Sequence, residues 1–157
     1  MADSKAAYWM NQQAIATEDP VIFLEPKLRY YQKGELDTTA DLSTALPLHR
    51  AKVLVEGSDC TIISYGPTVA TALQAARLAA EDGVKLEVIG LRSLSPRGLE
   101  TLETSVMKTG RAIVLHAESS RGGIGGAVGQ GLVQSYLYIL KAPVLRVTGY
   151  DTPYPPS

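Results

Sequence analysis

The chain has 157 residues, enough for one domain with a real core, or for one domain and part of another. Lys and Arg number 15 against 16 Asp and Glu, and a formal net charge of −1 gives no electrostatic case for nucleic acid or an anionic membrane as partner. No apolar run reaches the length of a membrane span, the first residues do not read as a secretory signal, and the one cysteine, Cys60, excludes an internal disulfide. Cys60 reads as a small buried hydrophobe, in keeping with a reducing compartment.

Asp3 or Ser4 can cap a helix running to about Thr17, which Glu18-Asp19-Pro20 stops, because the residue before a proline avoids helical angles. Val21 to Glu25 reads as a strand ended by Pro26. Alone, this helix and strand cannot bury both faces, so they are expected to expose an apolar face or to self-associate. Lys27 to Leu48 shows no sustained period and reads as a linker, with the boundary near Pro47. Ala51 to Glu56 alternates as a half-exposed strand, and Gly57-Ser58-Asp59 reads as a short hairpin into Cys60–Tyr65.

Cys60–Tyr65 is short, β-branched and nearly uncharged, as a buried strand is. Gly66-Pro67 breaks it, and Val69, Ala72, Leu73, Ala76 and Ala80 then recur at helical spacing up to a stop at Gly83. Lys85 to Leu91 is a second buried strand, so the stretch is one βαβ unit with parallel strands. Ser95-Pro96 is expected to open a helix, as cap and first residue, running to Thr109 with Gly110 as its stop. Arg111 to His116 is the next parallel strand. A glycine-rich loop from Ser119 to Gly126, a helix from about Gly125 to Leu140 and a strand Val144–Val147 follow. Gly149 to Pro156 is expected to be extended or polyproline-like. The expected fold is therefore α/β and three-layered: a mostly parallel sheet of about five strands with one antiparallel edge strand.

The loop Arg121-Gly122-Gly123-Ile124-Gly125-Gly126 stands where a helix N-terminus can hold a phosphate. No G-x-G-x-x-G frame fits, since Val128 falls at the third glycine, and no G-K-[ST] occurs, so the glycines read as packing and turning residues. His116 ends a strand beside Glu118, at the edge where open α/β sheets bind ligands, and Tyr65, Arg92 and Ser93 line the same edge. No serine–histidine–acid arrangement or metal-ligand spacing accompanies His116, and the other histidine, His49, lies in the linker. These edge residues read as interface or structural groups.

Several motifs, in order, carry a resemblance. They are Asp19 to Lys27, Pro47-Leu48 with Ala51 to Gly57, Thr61 to Gly66, Glu87 to Pro96, Ser105 to Arg111 and Ala142 to Pro153. Over about Asp19 to Pro156 the chain resembles the β subunit of the E1 component of 2-oxoacid dehydrogenase complexes, of the pyruvate, branched-chain and acetoin types. The resemblance implies a transketolase C-terminal domain over 50–157, ending early. It makes 1–26 the last helix and strand of an upstream pyrimidine-binding domain, and 27–49 the linker. It implies a thiamine-diphosphate- and Mg-dependent α2β2 enzyme that decarboxylates a 2-oxo acid and passes the acyl group to lipoyl-E2. The cofactor is then held elsewhere: no catalytic, cofactor-binding or metal residue carries over, and the fragment alone is expected to be inactive.

What carries over is an interface role toward the E1 α subunit, a second β subunit and the E2 subunit-binding domain. Lys141 stands where the family's Leu-acid-Ala-Pro motif offers an anion, Gly90 where relatives place Asp, and Ala117 and Ala127 where many carry Glu. The reversed charge and an early end at Ser157 weaken the expected grip on E2. The candidate interface residues are Lys141, Arg92, His116, Glu118 and Tyr65. The implied compartment is the bacterial cytoplasm or the mitochondrial matrix. Two alternatives stay open: a non-catalytic scaffold or regulatory module with the same fold, and the corresponding domain of a transketolase or deoxyxylulose-phosphate synthase.

Overall fold

A computed structural model describes residues 4–31, 33–36, 45–96 and 98–152, apart from the Leu28 side chain. Asp3 as a cap, much of the linker and the polyproline-like ending at 153–156 lie outside the described residues. The elements are α1 (Ser4–Ala16), a 3-10 turn (Lys27–Arg29), β1 (Lys52–Val55), β2 (Cys60–Tyr65), α2 (Thr68–Glu81), β3 (Leu86–Leu91), α3 (Leu99–Thr109), β4 (Ala112–Ser119), α4 (Ile124–Tyr136) and β5 (Leu145–Gly149).

The sheet order is β1-β3-β2-β4-β5. Strands β3, β2, β4 and β5 run parallel, with Cys60 opposite Leu86 and Thr61 opposite Ala112; β1 is antiparallel to β3. The inner strands are buried on both faces, which is why β2 and β3 carry runs of β-branched residues rather than an alternation. Ile63, Ile89 and Val114 point to one face, against Leu102 and Val106 of α3 and Val128 and Leu132 of α4. Ile62 and Val88 point to the other, against Ala72 and Ala76 of α2. Each such side chain stabilises the sandwich by about 1.5–3 kcal/mol, and the neighbours in each cluster come from distant parts of the sequence. The expected three-layer α/β fold with one antiparallel edge strand is the observed one.

Four local expectations are corrected. The edge strand β1 does not form a hairpin with β2; it pairs with β3, on the far side of that strand. Residues 57–59 cross under the start of β3, where Ser58 and Asp59 N–H both donate to Lys85 O at 3.0 Å. The Asp59 carboxylate receives the Lys85 N–H at 2.7 Å. Gly57 allows the crossing, because a Cβ there would collide with the Leu86–Glu87 backbone. Second, α3 starts at Leu99 with Gly98 as its cap, and the Ser95–Pro96 peptide is cis, so this pair does not open the helix. The stop is as read: Gly110 is left-handed (φ 69°) and its N–H returns to Val106 O.

Third, Val21 to Glu25 forms no ladder, since no described strand lies beside it; Ile22 is 89 % exposed and Leu24 68 %. The first helix, by contrast, is docked: Trp9 and Met10 are buried, and Gln13 Nε2 donates to Leu46 O at 3.0 Å. The expected apolar exposure thus falls on the 21–24 segment. Fourth, Cys60 at the start of β2 is only half-buried, and that burial raises its thiol above the ordinary range.

Candidate functional site

Two polar clusters sit at opposite edges of the sheet. At the C-terminal edge, β2 ends in Tyr65 and β4 carries His116 and Glu118 two residues apart. Glu118 Oε2 receives both the Tyr65 hydroxyl and His116 Nδ1, each at 2.9 Å. A carboxylate cannot donate, so Nδ1 carries the hydrogen of that bond. The Tyr65 and His116 rings are parallel within 8°, with centroids 6.1 Å apart. Burial pushes the Tyr65 phenol up, and the neighbouring Glu118 charge adds to it.

The His116 ring is fully buried, and Nε2 has no partner among the described residues. The ring fills the volume a side chain at Gly125 would take, since a Cβ there would collide with it. That is the packing role read for the glycines. Arg92, just past β3 on the same edge, spends its guanidinium on its own chain. Nη1 donates to Leu46 O and Pro47 O at 2.7 Å and Nη2 to Gln13 Oε1 at 3.4 Å, clamping α1 and residues 46–47 to the sheet.

Lys141 lies at the other edge. Its N–H donates to Gly110 O at 2.8 Å, and its Nζ stands 3.5 Å from Thr109 O, over the C-terminus of α3, where a cation suits the helix dipole. The five candidate residues therefore divide: Tyr65, His116 and Glu118 come together, Arg92 flanks them, and Lys141 is remote.

The cluster at this N-terminal edge was not read from the sequence. Glu87, 1 % exposed on β3, is paired with Lys108 of α3, which also reaches Glu56 at 3.0 Å. Burial alone would raise the Glu87 carboxyl, but Lys108, with Ser105 and the Gly57 N–H, holds it below the usual range. Beside it, Thr61 Oγ1 meets Ser105 Oγ at 2.7 Å and Thr109 Oγ1 at 2.8 Å. The available signal was a lone Glu in an otherwise apolar buried strand; its partner, distant in sequence, could not be read.

Neither cluster suits thiamine diphosphate or its metal. Glu118 Cβ stands 3.4 Å from where a Cβ of Gly123 would be, so an acidic residue borders the turn that could cradle a diphosphate, and among the described residues no three His, Cys, Asp or Glu side chains converge on a metal-sized site.

Residues 49–157 match the family described as "Transketolase, C-terminal domain". The chain belongs to that family. It is 47 % identical over 151 residues to the pyruvate dehydrogenase E1 component subunit beta of Leifsonia xyli, covering 96 % of this chain and 44 % of that protein. It is 42 % identical over 152 residues to the 3-methyl-2-oxobutanoate dehydrogenase subunit beta of Mycobacterium tuberculosis, covering 96 % and 43 %. The chain thus spans less than half the length of these relatives. Among solved structures it is similar to "Split gene transketolase, inactive beta4 tetramer", with a TM-score of 0.62 and 31 % identity, covering 74 % of this chain and 37 % of that one.

Proposed function

We propose that this chain is the C-terminal part of the β subunit of a thiamine-diphosphate-dependent 2-oxoacid dehydrogenase E1, serving assembly rather than chemistry. The observation that carries the reading is the identity to β subunits of two such dehydrogenases over 96 % of the chain. The polar cluster at the ligand edge supports the non-chemical role, because the Tyr65 hydroxyl and His116 Nδ1 are both committed to Glu118. In this reading residues 1–26 belong with an upstream domain, 27–49 connect, and 50–157 contact the α subunit and a second β subunit. Thiamine diphosphate and Mg are bound by the intact enzyme, which decarboxylates a 2-oxo acid and hands the acyl group to lipoyl-E2. The compartment is the cytoplasm of a bacterium, or the mitochondrial matrix.

Contact with E2 is weakened in this proposal, since Lys141 puts a cation where an anion would meet basic E2 groups. The split-gene relative, by its title an inactive β4 assembly, matches the expected behaviour of a β chain without its partner.

The test is a decarboxylation assay of the purified chain with thiamine diphosphate, Mg and either pyruvate or 3-methyl-2-oxobutanoate. No turnover is expected, and turnover by the chain alone overturns the reading. Co-expression with an E1 α subunit and an upstream β segment is expected to retain the chain in a complex. A second reading, a scaffold with this fold, is favoured by Lys141 and gains if no α subunit retains the chain.

A further inference from the structure

Two halves of a strand pair lie apart in this chain. The first is Val21 to Glu25. Its residues favour an extended strand, Pro20 and Pro26 bound it, and Ile22 and Leu24 are exposed. Among the described residues none of its backbone groups is hydrogen-bonded. The second half is the outer side of β5, the last strand of the sheet and, like the first, five residues long. Among the described residues its ladder is to β4 alone, so a row of N–H and C=O groups faces outward.

The side chains match as well. Leu145 and Val147 stand opposite Ile113 and Leu115, which pack on the α2 side of the sheet. They are 56 % and 45 % exposed, so α2 leaves this end of its face largely bare. Arg146, between them, lies on the α4 side, beside Gly126 and Gly129. Side chains alternate along a strand. Setting residues 22–24 against 145–147, in either direction, therefore places Ile22 and Leu24 beside Leu145 and Val147. Phe23 then faces Arg146, and Glu25 falls diagonal to it on the same side, anion toward cation. A slip of one residue would turn Glu25 to the apolar side and Ile22 and Leu24 to the arginine, so charge and burial select one register.

We infer that residues 21–25 of one copy of this chain add as a sixth strand to β5 of a second copy. Main-chain hydrogen bonds supply the attachment, and Ile22, Leu24, Leu145 and Val147 supply the buried apolar strip. Every copy carries both halves, so the partner is present at the chain's own concentration. The inference concerns this chain as it stands and does not rest on the E1 reading, which the decarboxylation assay tests separately.

Sedimentation of the purified chain over a concentration series tests it. Association that grows with concentration is expected. Ile22→Lys and Val147→Lys both fall at exposed positions. Each is expected to weaken association about tenfold or more, because a lysine on a strand edge resists pairing. A monomer at every concentration overturns the inference, and so does association that neither substitution weakens. Amide exchange locates the contact: protection at 145–149 should rise with concentration in the unaltered chain and not in Ile22→Lys. Protection there that ignores concentration in the unaltered chain overturns the inference. A synthetic peptide of residues 19–27 is expected to bind Ile22→Lys, whose β5 is intact, and not Val147→Lys. No binding, or equal binding to both, overturns it.

Discussion

The two edges of the sheet solve the same problem in different ways. At the N-terminal edge a buried carboxylate, Glu87, is neutralised by an ammonium from the next helix and accepts the Gly57 N–H. At the C-terminal edge Glu118 is about half exposed and accepts from a phenol and an imidazole N–H. Water can still reach Glu118, so its charge needs no counterion. Glu87 is shut away from water and depends on one. Burial thus sets the penalty for losing a partner, and the two carboxylates should respond to mutation very differently.

The largest effect is expected at Lys108. Lys108→Met leaves the Glu87 charge buried without its cation. Breaking a fully buried pair costs about 3–5 kcal/mol. Lys108 is 42 % exposed and partly screened, so the estimate falls to about 2 kcal/mol, roughly 6 °C in Tm. Thermal unfolding measures it, and adding Glu87→Gln to Lys108→Met should recover much of the loss. If Lys108→Met is neutral, the contrast between the edges fails.

Acid unfolding sharpens the same point. The native Glu87 carboxyl lies below its ordinary range, so its contribution is present above the unfolded pKa of about 4.3 and fades as pH falls through the lower folded value. Asp59, held down by the Lys85 N–H, adds a loss of the same sign. In Lys108→Met the lowering partner is gone and burial remains, so protonating Glu87 relieves the buried charge and the variant's deficit is expected to shrink as pH falls. Stability measured between about pH 3 and 6 would show the two curves converging toward acid, and a constant gap would contradict it.

These clusters also mark what could be read from the chain. The sandwich was legible because strand runs such as Cys60–Tyr65 and helical repeats such as Val69, Ala72 and Ala76 have local periods. The position of β1 was not: Gly57 permits a close crossing under β3, and a three-residue connection reads the same whether it turns back or passes beneath a strand. The start of α3 was lost because Pro96, a good first helical residue, precedes Gly98, which caps the helix instead. Tyr65, His116 and Glu118 were singled out as edge residues because strand ends are where such groups gather. Their mutual bonding was hidden, since Tyr65 and Glu118 are 53 residues apart in sequence. The Val21–Glu25 strand failed for the opposite reason: its propensity was real, but among the described residues no strand lies beside it to pair with.

One helix allows the C-terminal edge to be tested by a single substitution made twice. Gly125 and Gly131 both lie in α4. In a helix interior Ala is favoured over Gly by about 1 kcal/mol, because less backbone entropy is lost on folding. At Gly131 nothing lies within 4 Å of an added Cβ, so Gly131→Ala should raise stability by about 0.8 kcal/mol. At Gly125 the new methyl meets the His116 ring, which Glu118 and the Tyr65 stack hold in place. Overpacking of this kind costs about 1–3 kcal/mol, outweighing the helix gain and leaving a net loss of about 1.5 kcal/mol. Denaturant midpoints for the two variants are therefore expected to move in opposite directions. Movement of both upward would mean that His116 yields easily, and that the Tyr65–Glu118–His116 cluster is looser than its counterpart at Glu87.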